Sequence, residues 1–162
     1  MTKFLFILPL IFVALSAHAE CEPNFARAEK IYGIPKGYLR AISETEVGIG
    51  AFGKLRSWSL NVDGNSMYFR DKRDAIRYLS VLEIKNIDVG CMQINKYWHG
   101  DKFASLREML DPNTNIHYAA FILRSTYNKT KSWEKSVKFF HSRKPVFHKP
   151  YFEKFTRNLK KF

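Results

Sequence analysis

Cysteine, glycine, proline and acid are all scarce in this chain. Its 162 residues include only 2 cysteines, 8 glycines and 6 prolines, and 15 acids stand against 27 lysines and arginines. The glycines form neither a phosphate loop nor a dinucleotide fingerprint, no HExxH pair occurs, and no serine lies in a nucleophile elbow. His99, His117, His141 and His148 share no ligand spacing, so no metal site is expected. No repeat or low-complexity tract divides the chain. Beyond the N-terminus, no apolar run is long enough to cross a bilayer. The shortage of acid leaves a formal net charge of +12, a balance that favours polyanionic partners such as nucleic acid, anionic lipid or an acidic cell wall. Scattered cations that merely keep a secreted protein soluble account for the same number.

The one apolar run is at the start. Lys3 is followed by the apolar stretch Phe4–Leu15 and by Ala17-His18-Ala19, a small-x-small cleavage site. The pattern is that of a signal peptide over residues 1–19, with an uncleaved amphipathic anchor as the competing reading. Glu20 stands where lipid attachment to Cys21 would need a small residue, which excludes that modification. Export makes nucleic acid the least expected polyanion. Residues 20–162 have the length of one domain with a proper core. In an exported chain, Cys21 and Cys91 suggest a disulfide tying the first helix to the Gly90–Asn95 segment. Two buried free thiols remain the alternative.

What is present is mostly helix. Residues 24–32 place Phe25, Ala28 and Ile31 on one side, with Gly33 as the stop. Pro35 suits the first turn of a second helix, which runs to about Glu46 with Leu39, Ala41 and Ile42 inward. Gly48, Gly50 and Gly53 then break the pattern, and Glu44 is expected to meet solvent. Residues 57–69 alternate around the turn signal Asp63-Gly64, a hairpin signature. Asp71 caps a helix expected to reach Asn86. Further helices are read over residues 103–110, 114–127 and 132–141. Pro145 and Pro150 are read as breaks before a last basic helix with Phe152, Phe155, Leu159 and Phe162 as its stripe. That stripe either completes the core or touches wall or membrane, and the core is favoured.

Two segments carry chemistry. The second helix delivers Glu46 beside a glycine, near the core boundary, where desolvation lifts a carboxyl toward general-acid range. Gly90-Cys91-Met92-Gln93-Ile94-Asn95 supplies amides on either side of Ile94. An acid facing neutral hydrogen-bonding groups suits cleavage of an uncharged polar polymer such as a glycan. Taken alone, Glu46 reads as a surface or structural carboxylate.

Its surroundings change that reading. Ala41-Ile42-Ser43 ahead of Glu46, the Gly90–Asn95 run, and Asp111-Pro112 leading into Asn115-Ile116, Ala119-Ala120 and Ile122-Leu123 occur in an order that resembles the lytic transglycosylase domain family. Trp58–Gly64 with Tyr68-Phe69 is similar to an insertion in the branch serving secretion and conjugation systems. The resemblance implies a mainly α, lysozyme-like helical domain with a small β-hairpin insertion, acting in the periplasm on peptidoglycan strands without cofactor or metal. It makes Glu46 the catalytic acid. Gly90, Met92, Gln93 and Asn95 become the cleft floor, with Gln93 offered to the N-acetyl group and Asn95 holding its own loop. Tyr118 and Phe139-Phe140-His141 become the far wall. Cys91 replaces the family's usual apolar residue. One departure stands out: the family's late motif has a tyrosine where this chain has Phe140, so its hydroxyl is missing there and His141 is the candidate substitute. Asp63, Asp71 and Asp88 each have a turn, cap or loop explanation. Transglycosylation is therefore expected ahead of lysozyme-like hydrolysis or a catalytically weak wall-binding role.

Overall fold

The computed structural model describes residues 20–50 and 55–162. The signal-peptide reading of residues 1–19 and the break at Gly53 lie outside the described residues. The elements in chain order are α1 (Glu22–Tyr32), α2 (Tyr38–Val47), β1 (Ser59–Val62), β2 (Asn65–Tyr68), α3 (Lys72–Ser80), β3 (Ile87–Val89), β4 (Ile94–Asn95), α4 (Lys96–His99), α5 (Leu106–Met109), α6 (Pro112–Thr130), α7 (Trp133–His141) and α8 (Pro145–Leu159). A 3-10 turn, Gly100–Lys102, follows α4. The fold is thus mainly α with one small sheet, in the lysozyme-like manner.

Helix α6 is the central post. Ile116, Ala119, Ala120 and Leu123 are fully buried on it, and α1 and α7 pack against it. Asp111 caps it by accepting from the Thr114 N–H at 3.2 Å, and Pro112 at the first turn gives up no needed donor. Helix α8 packs on α2 and α7, with Phe155 fully buried between them. It begins at Pro145 and continues through Pro150, where two breaks were expected. Pro145 needs no donor at that position, and the hydrogen bond lost at Pro150 is outweighed by burial of Tyr151 and Phe155. The phenylalanine stripe joins the core as far as Leu159, and Phe162 stays 40% exposed.

Three other expectations are corrected. Ile31 is 58% exposed; the inward face of α1 runs through Phe25, Ala28 and Glu29. Glu29 is buried because its carboxylate accepts from the N–H groups of Gly37 at 3.0 Å and Leu39 at 2.9 Å. It thereby satisfies orphan donors at the start of α2. Glu44 is also buried, held by Lys161 at 2.7 Å and Arg40 at 3.5 Å, where solvent was expected. Helix α3 stops at Ser80, short of Asn86: Leu82 still packs against the core, but residues 83–86 are exposed, so no apolar stripe holds a further turn.

The hairpin forms as read. Asp63 and Gly64 take φ of 48° and 87°, the paired positive values of a two-residue hairpin turn. The strands do not stand alone, however. The antiparallel order is β2-β1-β3-β4, so the hairpin is extended by the segment that carries the amide motif. A disulfide joins Cys21 to Cys91 with Cα atoms 6.0 Å apart, linking the start of α1 to that segment.

Candidate active site

The last turn of α2 carries Glu46, and Gly48 then takes φ 66° and ψ −179°, a conformation that only glycine adopts readily. The chain leaves the helix there and Glu46 is left at the wall of a cleft of about 440 Å³. Around it are Asp88, Gln93, Ile94, Asn95, Trp98 and His99 on one side, and Ile122, Thr126, Phe139, Phe140, His141 and Arg143 on the other.

The sheet explains the first wall. Ile87 and Val89 of β3 are fully buried, so Asp88 between them faces the opposite way, into the cleft. Asn95 pairs with Asp88 across the strands; its amide donates to the Asp88 carboxylate at 2.8 Å and to the Asn86 side chain at 2.9 Å. Its oxygen accepts from the N–H groups of Tyr97 and Trp98, capping α4. Asn95 therefore holds its own loop, as the resemblance implied. Gln93 does so too: its amide nitrogen donates to the Gly90 carbonyl at 3.0 Å and the Ser59 carbonyl at 3.4 Å. Its oxygen is the end left for a ligand.

Gly90 and Met92 do not line the cleft. They sit buried beneath its floor, where Asn115 of α6 organises them. The Asn115 side chain accepts from the Met92 N–H at 2.9 Å and donates to the carbonyls of Val89 and Met109, each at 2.9 Å. Gly90 has φ 77°, and a Cβ there would lie 3.0 Å from the Asn115 amide. The backbone conformation and the close approach both call for glycine. Tyr118 falls in an adjoining recess, its hydroxyl 3.0 Å from Nδ1 of His99. Glu46, Gln93, Asn95, Phe140 and His141 are brought together; Gly90, Met92 and Tyr118 are not.

Burial pushes the Glu46 carboxyl up to about 7, with the neighbouring Asp88 charge adding to the rise. Tyr151 and the Lys154 ammonium pull the other way. The side chain keeps some accessible surface, but the protein packed around it sets its solvation. Asp88 is also raised, chiefly by burial, against the hydrogen bond from Asn95. A carboxyl near 7 is protonated in an appreciable fraction at neutral pH, which general-acid work requires.

Tyr151 is the functional residue that the sequence reading missed. It is buried on α8 and interacts with Glu46. Its hydroxyl makes no hydrogen bond of ordinary length and angle among the described residues. We read the pair as facing but imperfectly aligned, because each still shifts the other. A tyrosine hydroxyl, absent at position 140, thus faces Glu46 from position 151. His141, the candidate substitute, lines the same cleft, and its ring stacks flat on Tyr151 with centroids 4.3 Å apart. The signal for Tyr151 lay in a stretch read as broken by prolines. Helix α8 grips the end of α2 more widely as well. Lys154 donates to the Thr45 carbonyl at 2.6 Å, Asn158 to the Thr45 hydroxyl at 3.1 Å, and Lys161 to Glu44. Residues 151, 154, 158 and 161 recur at helical spacing, so one face of the chain's end fixes the turn that bears Glu46.

Tyr151→Phe removes a contact that favours the ionised carboxyl. Glu46 is then expected to titrate higher, moving the alkaline limb of the pH–rate profile upward from about 7. Turnover should fall by roughly tenfold as the hydroxyl facing the Glu46 carboxyl is lost. An unshifted limb would show that Tyr151 only packs.

Among the described residues no helix is long and apolar enough to cross a membrane. No group of three or more histidine, cysteine, aspartate or glutamate side chains is placed to hold a metal among them either. The profile of the family described as "Transglycosylase SLT domain" matches residues 23–140, and so ends before α8. Protein IpgF of Shigella sonnei is 30% identical over 128 residues, covering 76% of this chain. The matched region spans 64% of that relative's length. No solved structure matches.

Proposed function

The chain belongs to the transglycosylase SLT domain family, and from that premise we propose that it cleaves peptidoglycan between N-acetylmuramic acid and N-acetylglucosamine, leaving a 1,6-anhydro end. The observation that carries this reading is Glu46, titrating near 7 in a cleft beside Tyr151. Protonated Glu46 gives its proton to the glycosidic oxygen as the bond to the muramyl anomeric carbon breaks. The sugar's own acetamido oxygen stabilises the charge that develops there. Glu46, now a carboxylate, takes the proton of the muramyl C6 hydroxyl, whose oxygen closes on the anomeric carbon. The proton returns to Glu46 and no water is consumed. The free oxygen of Gln93 is available to accept from the acetamido N–H. Trp98, 71% exposed at the cleft, offers a flat apolar face to a sugar ring. The site of action on this reading is the periplasm, reached by the signal peptide, in the service of a secretion or conjugation machine that opens the wall locally.

Asp88 favours a second reading. A carboxylate sharing the cleft with the acid is what a lysozyme-like hydrolase uses to stabilise the oxocarbenium-like state or to activate water. Mass spectrometry of purified sacculi after digestion separates the two. Anhydromuropeptides are expected, and Asp88→Asn should retain them while lowering the pH of the alkaline limb, since the Asp88 charge raises Glu46. Reducing ends that vanish with Asp88→Asn would establish the hydrolase instead. Wall binding without either product would leave a binding factor on the same fold.

A further inference from the structure

The catalytic cleft does not end at Phe139. A second recess of about 440 Å³ shares His99, Ile122, Thr126, Phe139 and Arg143 with it. It continues along α6 past Tyr118, Phe121, Ser125 and Lys129. Those positions recur every three or four residues, so they form one face of the helix. From Tyr118 to Lys129 that face is about 16 Å long at 1.5 Å per residue. Its character differs from that of the Glu46 cleft. Near the cleft it is aromatic, with Tyr118, Phe121 and Phe139; two cations, Arg143 and Lys129, stand along it, and no acid lines it. Neither cation has a carboxylate partner among the described residues. Arg143 is instead steadied by the Phe139 ring, 5.0 Å from its guanidinium carbon.

We infer that this recess along α6 takes the anionic peptide stem of the muramyl residue whose glycosidic bond lies at Glu46, with Arg143 and Lys129 reading its carboxylates. The inference rests on the peptidoglycan reading above. A neutral glycan has no use for two unpaired cations, whereas the stem branches from the muramyl sugar and carries carboxylates along an extended chain. The shared residues Ile122 and Thr126 lie midway along the α6 face, so a stem leaving the cleft there reaches either end of it within a few extended residues. Arg143, at the junction of the two recesses, meets the stem near its attachment, and Lys129 lies one turn of α6 beyond the shared Thr126. The rings of Tyr118 and Phe121, toward the opposite end of the face from Lys129, offer an apolar wall to the stem's uncharged side chains. The exposed cations also explain selectivity without deep burial: partly solvated charge pairs give modest affinity that salt can remove.

Binding tests this apart from catalysis. In a Glu46→Gln background, fluorescently labelled glycan strands with intact stems are compared by anisotropy with the same strands stripped of stems by an amidase. Stem-bearing strands should bind about tenfold more tightly at low salt, the order expected of two partly exposed charge pairs. Lys129→Ala with Arg143→Ala should bring them to the level of stripped strands, and both side chains are exposed, so folding is not at stake. Equal affinity for the two strands, or a preference that survives the double substitution, would overturn the assignment. So would affinity for stripped strands that climbs with glycan length and depends on the two cations, which would give the recess to further sugars. A parallel digest with the unsubstituted protein reports on the reaction alone: absence of products there would refute the transglycosylase reading and leave the binding result standing.

Discussion

Glu46→Gln is expected to lower the release of anhydromuropeptides by about a thousandfold or more, the order associated with losing a positioned acid that also serves as base. The same substitution should make the protein more stable at alkaline pH, and this second effect separates a catalyst from a structural carboxylate. In the unfolded chain the carboxyl titrates near 4.5 and in the folded protein near 7. Between those values the folded state binds the proton more tightly, so this group's contribution to stability falls as pH rises through the window. Above 7 the ionised carboxylate costs about 3 kcal/mol; below 4.5 it costs nothing. Glutamine has no such titration. The variant should therefore exceed the parent by up to about 3 kcal/mol at pH 8 and equal it at pH 4, as read by urea unfolding at the two values. Asp88 is also raised, but it is present in both proteins and largely drops out of the difference. Equal destabilisation at both pH values would mean that Glu46 supports the fold rather than being strained by it.

That strain is where the sequence was least readable. The helix bearing Glu46 was legible because Leu39, Ala41 and Ile42 repeat with its period and a glycine ends it. The hairpin was legible because Asp63-Gly64 has a direct conformational meaning. Asp88 was not, although the alternation of Ile87, Asp88 and Val89 is that of a strand with one face buried. Three residues are too few to distinguish a strand from a loop by period alone. Glu44 and Glu46 were assigned opposite environments from helical position, yet Glu44 is buried in an ion pair with Lys161. Its partner lies 117 residues away, and no local pattern carries that information. Tyr151 was lost for a related reason. Prolines at 145 and 150 carry a local penalty against helix, and packing of α8 against α2 overrides it. The family profile ends at residue 140, so although the apolar stripe announces a last helix, no motif ties that helix to the site.

The disulfide offers the other large effect, and its consequences should fall on stability rather than chemistry. Cys21 and Cys91 are 70 residues apart in sequence, and closing a loop of that size in the unfolded chain stabilises the folded state by about 4 kcal/mol. Replacing both by alanine, or unfolding the protein under a reductant, should move the urea midpoint down by roughly 2 M, given a dependence of about 2 kcal/mol per M. The cleft has other anchors. The Cys91 carbonyl accepts from the Ser43 hydroxyl at 2.8 Å, one turn before Glu46, and Asn115 holds the Met92 N–H from below. Both contacts use groups that survive the substitution. Product release at 25 °C should accordingly stay within a few-fold of the parent, with glycan affinity little changed. A midpoint that does not move would mean that the bond constrains nothing the core does not already fix. A collapse of activity in protein that remains folded would mean instead that the bond, more than Ser43 and Asn115, sets the distance between the Gly90–Asn95 floor and Glu46.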